Sequence, residues 1–132
     1  MNNLPNGTHS INELTKSNLK QKSSFAALIL SEDGVIQDCS KESAKLLGYI
    51  PKNLIKLHIS KLLPKLVEIE LLKAQRVNPY LRFLSRIDYQ FELIAMNGNR
   101  FVGQIFFSDI DNEEGHRLVV LINPVIKKKQ LH

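Results

Sequence analysis

Apolar residues fill nearly every position from 25 to 31, whereas 87–96 and 100–110 alternate apolar with polar. The first pattern predicts a strand covered on both faces; the other two predict strands with one face in a core. Asp33-Gly34 follows the first run and marks a hairpin turn, because such a turn needs positive φ. Residues 35–39 make a short return strand. Ser40 stands where an N-cap belongs, ahead of a helix over 41–47 that Gly48 stops as a C′ residue. Pro51 and Pro64 each suit a first helical position, which predicts short helices at 51–56 and 58–63. A longer helix is expected from Pro64 to about Gln75, with Leu66, Val67, Ile69, Leu71 and Leu72 on its buried side and Lys65, Glu68 and Lys73 facing out. Asn78-Pro79 breaks that pattern.

In the last third, Tyr89, Phe91, Leu93 and Ala95 fall on one strand face and Gln90, Glu92, Ile94 and Met96 on the other. Asn97-Gly98 reads as a two-residue hairpin turn. The return strand points Phe101, Gly103, Ile105 and Phe107 inward and Val102, Gln104 and Phe106 outward. A polar loop at 111–116 leads to 117–126, apolar on both faces and so central in the sheet. The order of elements is that of an α+β domain with one antiparallel sheet. At the N-terminus, Ser10 and Glu13 form a capping box, and Ile11, Leu14 and Leu19 make a narrow apolar stripe on a short helix ending near Lys22. That stripe is too thin to hold a helix alone in water, so it must dock.

A chain of 132 residues suits one core, with 1–24 a tail and amphipathic helix, 25–126 the domain and 127–132 a basic tail. The net charge of +5 belongs to the ends: residues 25–126 hold twelve basic and twelve acidic side chains. A nucleic-acid role through the lysine tails therefore ranks third among the functional readings. No secretory signal and no membrane-spanning run is visible, and one cysteine forms no internal disulfide, so the cytoplasm is the default location.

With Asp33-Gly34, Gly48-Tyr49 and the Asn97-Gly98 turn in this order and spacing, the chain resembles a PAS domain over about residues 25–126. Ser40 stands where the family often has an Asn cap. The resemblance implies a five-stranded antiparallel sheet, first and last strands adjacent near its centre, with short helices on one face and a ligand cavity beneath them. It also implies an N-terminal helix over the outer sheet face, often at a dimer interface. Ile11, Leu14 and Leu19 would then meet Ile94, Val102 and Phe106, with Met96 beside them.

Pocket candidates are Phe83, Phe91, Leu93, Phe101, Ile105 and Phe107, with Arg82, Arg86 and Gln90 as donors to an anionic ligand at a cavity mouth. The plainer reading makes the aromatics core and the arginines solvated charges at a loop-to-strand junction. His58 is the one histidine in the helical part, but it precedes the helix that supplies the haem ligand in haem-binding relatives. His9 and His132 lie in tails and His116 in a hairpin loop, which argues against haem. The run from Leu81 to Ser85 overlaps the flavin motif of photosensory members in letters only and lacks the reactive cysteine; Cys39 reads as buried filler. Asp109, Asp111, Glu113 and Glu114 gather near one loop without calcium-site spacing, and no nucleophile–base pair is visible.

These features point to a non-enzymatic PAS-type sensory module, dimeric, that takes a small ligand or a protein partner and relays the change through sheet and flanking helix to an output domain in cis or in trans. The alternative is a ligand-free protein–protein docking or dimerisation domain.

Overall fold

The computed structural model describes residues 26–125. The expected N-terminal helix with Ile11, Leu14 and Leu19, the strand ends at Phe25 and Ile126, and the lysine tail lie outside the described residues. Strand β1 (Ala26–Leu30) is buried at all five positions, as a run apolar on both faces requires. It turns into β2 (Ile36–Cys39). Helix α1 (Lys41–Leu47) starts at Ser40, whose side chain accepts from the Ser43 N–H, and stops at Gly48 with φ 77°.

Next come the single-turn helix α2 (Pro51–Leu54) and two 3-10 turns, Ile59–Lys61 and Pro64–Val67. A two-residue ladder, β3 (Leu72–Lys73) with β4 (Arg76–Val77), precedes helix α3 (Pro79–Arg86). Strands β5 (Gln90–Ile94), β6 (Arg100–Asn112) and β7 (Gly115–Pro124) follow as a meander. The sheet has the order β2-β1-β7-β6-β5, antiparallel throughout, so β7 is central and lies beside β1.

Four expectations are corrected. The helix from Pro64 to about Gln75 is a single 3-10 turn, and Val67, expected inside, is 75% exposed. The chain then reverses at Ala74 and Gln75 (φ 52° and 65°), a two-residue turn made without Asn or Gly. Two bonds offset that left-handed strain: a tertiary one from the Val77 N–H to Asp109 (3.0 Å) and one across the hairpin from the Asn78 N–H to the Leu71 carbonyl (2.8 Å). Secondly, Asn78-Pro79 starts a helix rather than only ending one. The Asn78 carbonyl oxygen of the side chain accepts from the Tyr80 N–H (3.0 Å), and Pro79 takes the first position. Thirdly, Asn97-Gly98 is not a two-residue turn. The Gly98 N–H donates to the Ala95 carbonyl and the Ala95 N–H to the Asn99 carbonyl, both 2.9 Å, and only Gly98 has positive φ. The Ser31–Gly34 turn closes in the same way, with Gly34 at φ 86°. The loop expected at 111–116 is shorter too, since β6 runs to Asn112 and β7 resumes at Gly115.

One face of the sheet is covered by the helices and forms the core. Leu28, Leu30, Phe91, Leu93, Ile105, Leu118, Val120 and Ile122 from the strands pack with Leu47, Leu54, Leu62, Leu63 and Leu81 from the helical layer. On the other face Ala27 and Ile29 form a smaller cluster with Ile110 and Leu121.

Candidate functional site

The alternation of β5 and β6 places four pocket candidates together on the inner face: Phe91, Leu93, Ile105 and Phe107, all buried. The Phe91 ring meets Tyr89 edge-on at 4.8 Å and Phe107 at 6.0 Å. Leucines from the helical layer fill the space above them, so these aromatics work as core. Phe101, half-buried near the hairpin end, instead lines a half-open cavity of about 460 Å³ with Leu46, Gly48, Ala95, Met96, Asn97, Asn99 and Arg100.

The remaining candidates lie elsewhere. Phe83 points outward from α3, 43% exposed, and stacks on Tyr80 at 6.2 Å. Gln90 is exposed and alternates with buried Phe91, which puts it on the outer face, opposite Gln104. Arg82 is spent on Asp109 (2.8 Å). Arg82 and Gln90 therefore do not meet at one cavity mouth. The outer-face candidates Ile94, Val102 and Phe106 are half-buried; Met96, expected beside them, instead lies in the β5–β6 turn, 58% exposed, and lines the cavity beside Phe101.

His58 caps the first 3-10 turn. Its Nδ1 accepts from the Ser60 N–H (3.1 Å), leaving Nε2–H to donate to the Asp33 carbonyl (2.9 Å). Both ring nitrogens are thus engaged, Nδ1 within the 3-10 turn and Nε2 on the β1–β2 turn. Cys39 is buried, and burial together with the Asp38 charge pushes its thiol above the ordinary value, against a Ser43 hydrogen bond.

A polar cluster that the sequence did not announce sits at the far end of the inner face. There β6, β7, the β1–β2 turn, β4 and α3 converge on Asp109. Its Oδ1 accepts from the Val77 N–H (3.0 Å) and from His116 Nε2 (2.5 Å), and its Oδ2 from Arg82 (2.8 Å). Arg76 lies 3.8 Å from Oδ1 and bonds Asp111 (3.0 Å). The other His116 nitrogen, Nδ1, meets Glu32 Oε2 at 2.5 Å. The Asp109 and His116 side chains are only 7% and 12% exposed.

Burial pushes the Asp109 carboxyl up, but the His116, Val77 and Arg82 hydrogen bonds and the nearby Arg76 charge outweigh it and hold the group below its ordinary value. The bond to Asp109, aided by Glu32 and opposed by burial, raises His116 above the ordinary histidine value. With both imidazole nitrogens tied to carboxylates, His116 offers no lone pair to a general base role. Among the described residues, no group of three His, Cys, Asp or Glu side chains is arranged to hold a metal ion. No helix among them is long and apolar enough to cross a membrane.

No protein-family model matches the chain, and no curated protein matches it by sequence. Solved structures do match in fold. A PAS domain from a two-component sensor histidine kinase superposes with a TM-score of 0.62 at 8% identity, covering 87% of this chain and 97% of that one. The PAS domain of nitrogen regulation protein NR(II) from Vibrio parahaemolyticus gives 0.60 at 15% identity, covering 89% and 100%. A light-oxygen-voltage domain studied with a flavin analogue gives 0.60 at 18% identity, covering 87% and 86%. The strand order, the helical layer on one face and these superpositions agree on one architecture.

Proposed function

We propose that this chain, whose fold is PAS-like, is a non-enzymatic sensory and signal-transduction module that works by binding a partner through its sheet. The observation that carries the reading is the contrast between the two sheet faces. The inner face is closed by its own leucines and phenylalanines, whereas the outer face presents half-buried Ile94, Val102 and Phe106. A second copy of the chain, docked through this face and the apolar stripe expected at Ile11, Leu14 and Leu19, is the proposed occupant. Strain imposed there passes through β7 to the chain ends, where an output domain in cis or a partner in trans would read it. A PAS domain from a two-component sensor histidine kinase is among the fold neighbours, which supports a signalling context.

A small-molecule ligand is the second arm of the proposal. The half-open cavity beside Phe101 is the space in favour of it, lined by apolar Leu46, Met96 and Phe101 together with Arg100 and two asparagines. Native mass spectrometry, compared with the denatured mass, separates the arms. A dimer that Val102→Lys converts to monomer supports docking, and a retained small molecule supports ligand sensing. A monomer carrying nothing overturns both.

A further inference from the structure

Glu32 and Asp109 belong to different elements, yet each approaches a different nitrogen of the same imidazole, at 2.5 Å in both cases. A neutral imidazole has one N–H and can donate to only one of two carboxylates. Both contacts together require the doubly protonated ring. The surrounding charges agree. Asp109 and Asp111 from β6, the latter directly across the ladder from His116, and Glu32 from the turn supply three carboxylates. Arg82 from α3 and Arg76 from β4 supply two guanidiniums. The balance is one negative charge, which protonated His116 cancels; the neighbouring Glu114–Arg117 pair (2.7 Å) is already neutral.

We propose that His116 is a proton-operated latch: doubly protonated it ties the β1–β2 turn to the β6–β7 hairpin, and on losing a proton it lets the turn go. The geometry decides which bond fails. Asp109 is 7% exposed against 46% for Glu32, so water replaces the Nε2–H donor far less readily there, and the ring keeps that proton. Glu32 is 46% exposed and, among the described residues, bonds only His116 through its side chain. Once released it is resolvated. The turn then keeps its own closing bonds, from the Ser31 N–H to the Val35 carbonyl and the Gly34 N–H to the Ser31 carbonyl (both 2.9 Å), and its ties to the opposite side, His58 at the Asp33 carbonyl and the Ile59 N–H at the Gly34 carbonyl (2.8 Å). The latch stands on this geometry whether or not the chain signals. If the sensory reading above holds, the proton is one of its inputs.

The test is an NMR titration of the full chain from about pH 5 to about pH 9, bracketing the ordinary histidine value of about 6.5. His116 should titrate above that value, and the backbone amides of residues 31–35 should shift with the same midpoint. Glu32→Gln removes one of the two carboxylates from a half-exposed position. It should keep the amide dispersion of the fold, lower the His116 midpoint, and abolish the coupled shift of the turn. Turn amides that ignore the His116 midpoint, or a midpoint unmoved by Glu32→Gln, would overturn the proposal. Neither outcome depends on dimerisation or on a bound ligand, so the sensory reading is judged separately by the mass measurement.

Discussion

Two glycines occupy equivalent places in two turns of the same build, and only one of them is crowded. Gly34 (φ 86°) and Gly98 (φ 90°) both end a turn in the left-handed region. A side chain at either position costs about 1–2 kcal/mol in backbone strain. A Cβ at Gly98 would meet nothing within 4 Å, so Gly98→Ala should cost that amount and no more. A Cβ at Gly34 would stand 2.7 Å from His58 Nε2 and 3.0 Å from the Leu71 side chain. A free ring would swing aside cheaply, but this ring is tied at both nitrogens, to the Asp33 carbonyl and the Ser60 N–H. Moving it forfeits about one or two hydrogen bonds, each worth roughly 0.5–1.5 kcal/mol net. Gly34→Ala should therefore destabilise by about 2–4 kcal/mol. Urea unfolding resolves the gap: with a slope of about 1–3 kcal/mol per molar, the two variants should differ in midpoint by roughly 1 M. In a His58→Ala background the Gly34→Ala penalty should fall toward that of Gly98→Ala, leaving only what the Leu71 contact costs. Equal penalties for the two glycines in the wild-type background would refute the claim that His58 is a clamp on the turn.

Ser40→Ala removes the acceptor of two buried N–H groups, those of Ala27 (3.0 Å) and Ser43 (3.1 Å), and should cost about 2–3 kcal/mol by chemical unfolding. Asn78→Ala loses the α3 cap and the bond to the Glu70 carbonyl (2.7 Å), for about 1–2 kcal/mol and a lowered Tm by circular dichroism. Stability should also depend on pH at both ends of a window. Asp109 is held below its ordinary value, so its contribution is present above about pH 4 and is lost as pH falls through the lower folded value; Asp109→Asn should flatten that acid limb. His116 is raised, so its contribution is complete below about pH 6.5 and is lost as pH rises through the higher folded value, an alkaline limb that His116→Gln should remove.

Where a structural choice is local, the chain states it openly. Ser40 and Gly48 bracket α1 because a cap needs a short oxygen-bearing side chain and a left-handed stop needs no Cβ. The alternation of β5 and β6 follows from the pleat, and the two doubly apolar runs lie side by side as β1 and β7. Residues 64–78 were opaque because tertiary bonds decide them. The apolar spacing from Leu66 to Leu72 imitates a helix, yet Asp109 and Leu71 capture the backbone of Val77 and Asn78 and impose a hairpin. A signal for α3 was present all the same: Asn then Pro is a cap and first position, and Leu81 and Leu84 supply its buried side. The His116 bridge had no such signal. Its partner Glu32 lies 84 positions away, and no spacing rule reaches that far.

The backbone also narrows where an outside agent could act on this fold. On the β2 side, the Ile36 N–H donates to the Leu57 carbonyl and the Lys56 N–H to the Ile36 carbonyl, both 2.8 Å. On the β5 side, the Ile94 and Met96 N–H groups donate to the carbonyls of Leu62 and Leu47, both 2.9 Å. A partner strand adding at either edge would have to displace these bonds. Entry from the inner face would have to part a layer in which Leu62, Leu63 and Leu81 are fully buried. The half-open cavity beside Phe101, the outer face and the polar end remain, and the last two act on the same strand. Central β7 alternates buried Leu118, Val120 and Ile122 with half-buried Val119, Leu121 and Asn123, and it carries His116 at its start. A partner pressing on the outer face and a proton leaving His116 would thus bias one element from two sides, which makes β7 the place where the two inputs would couple.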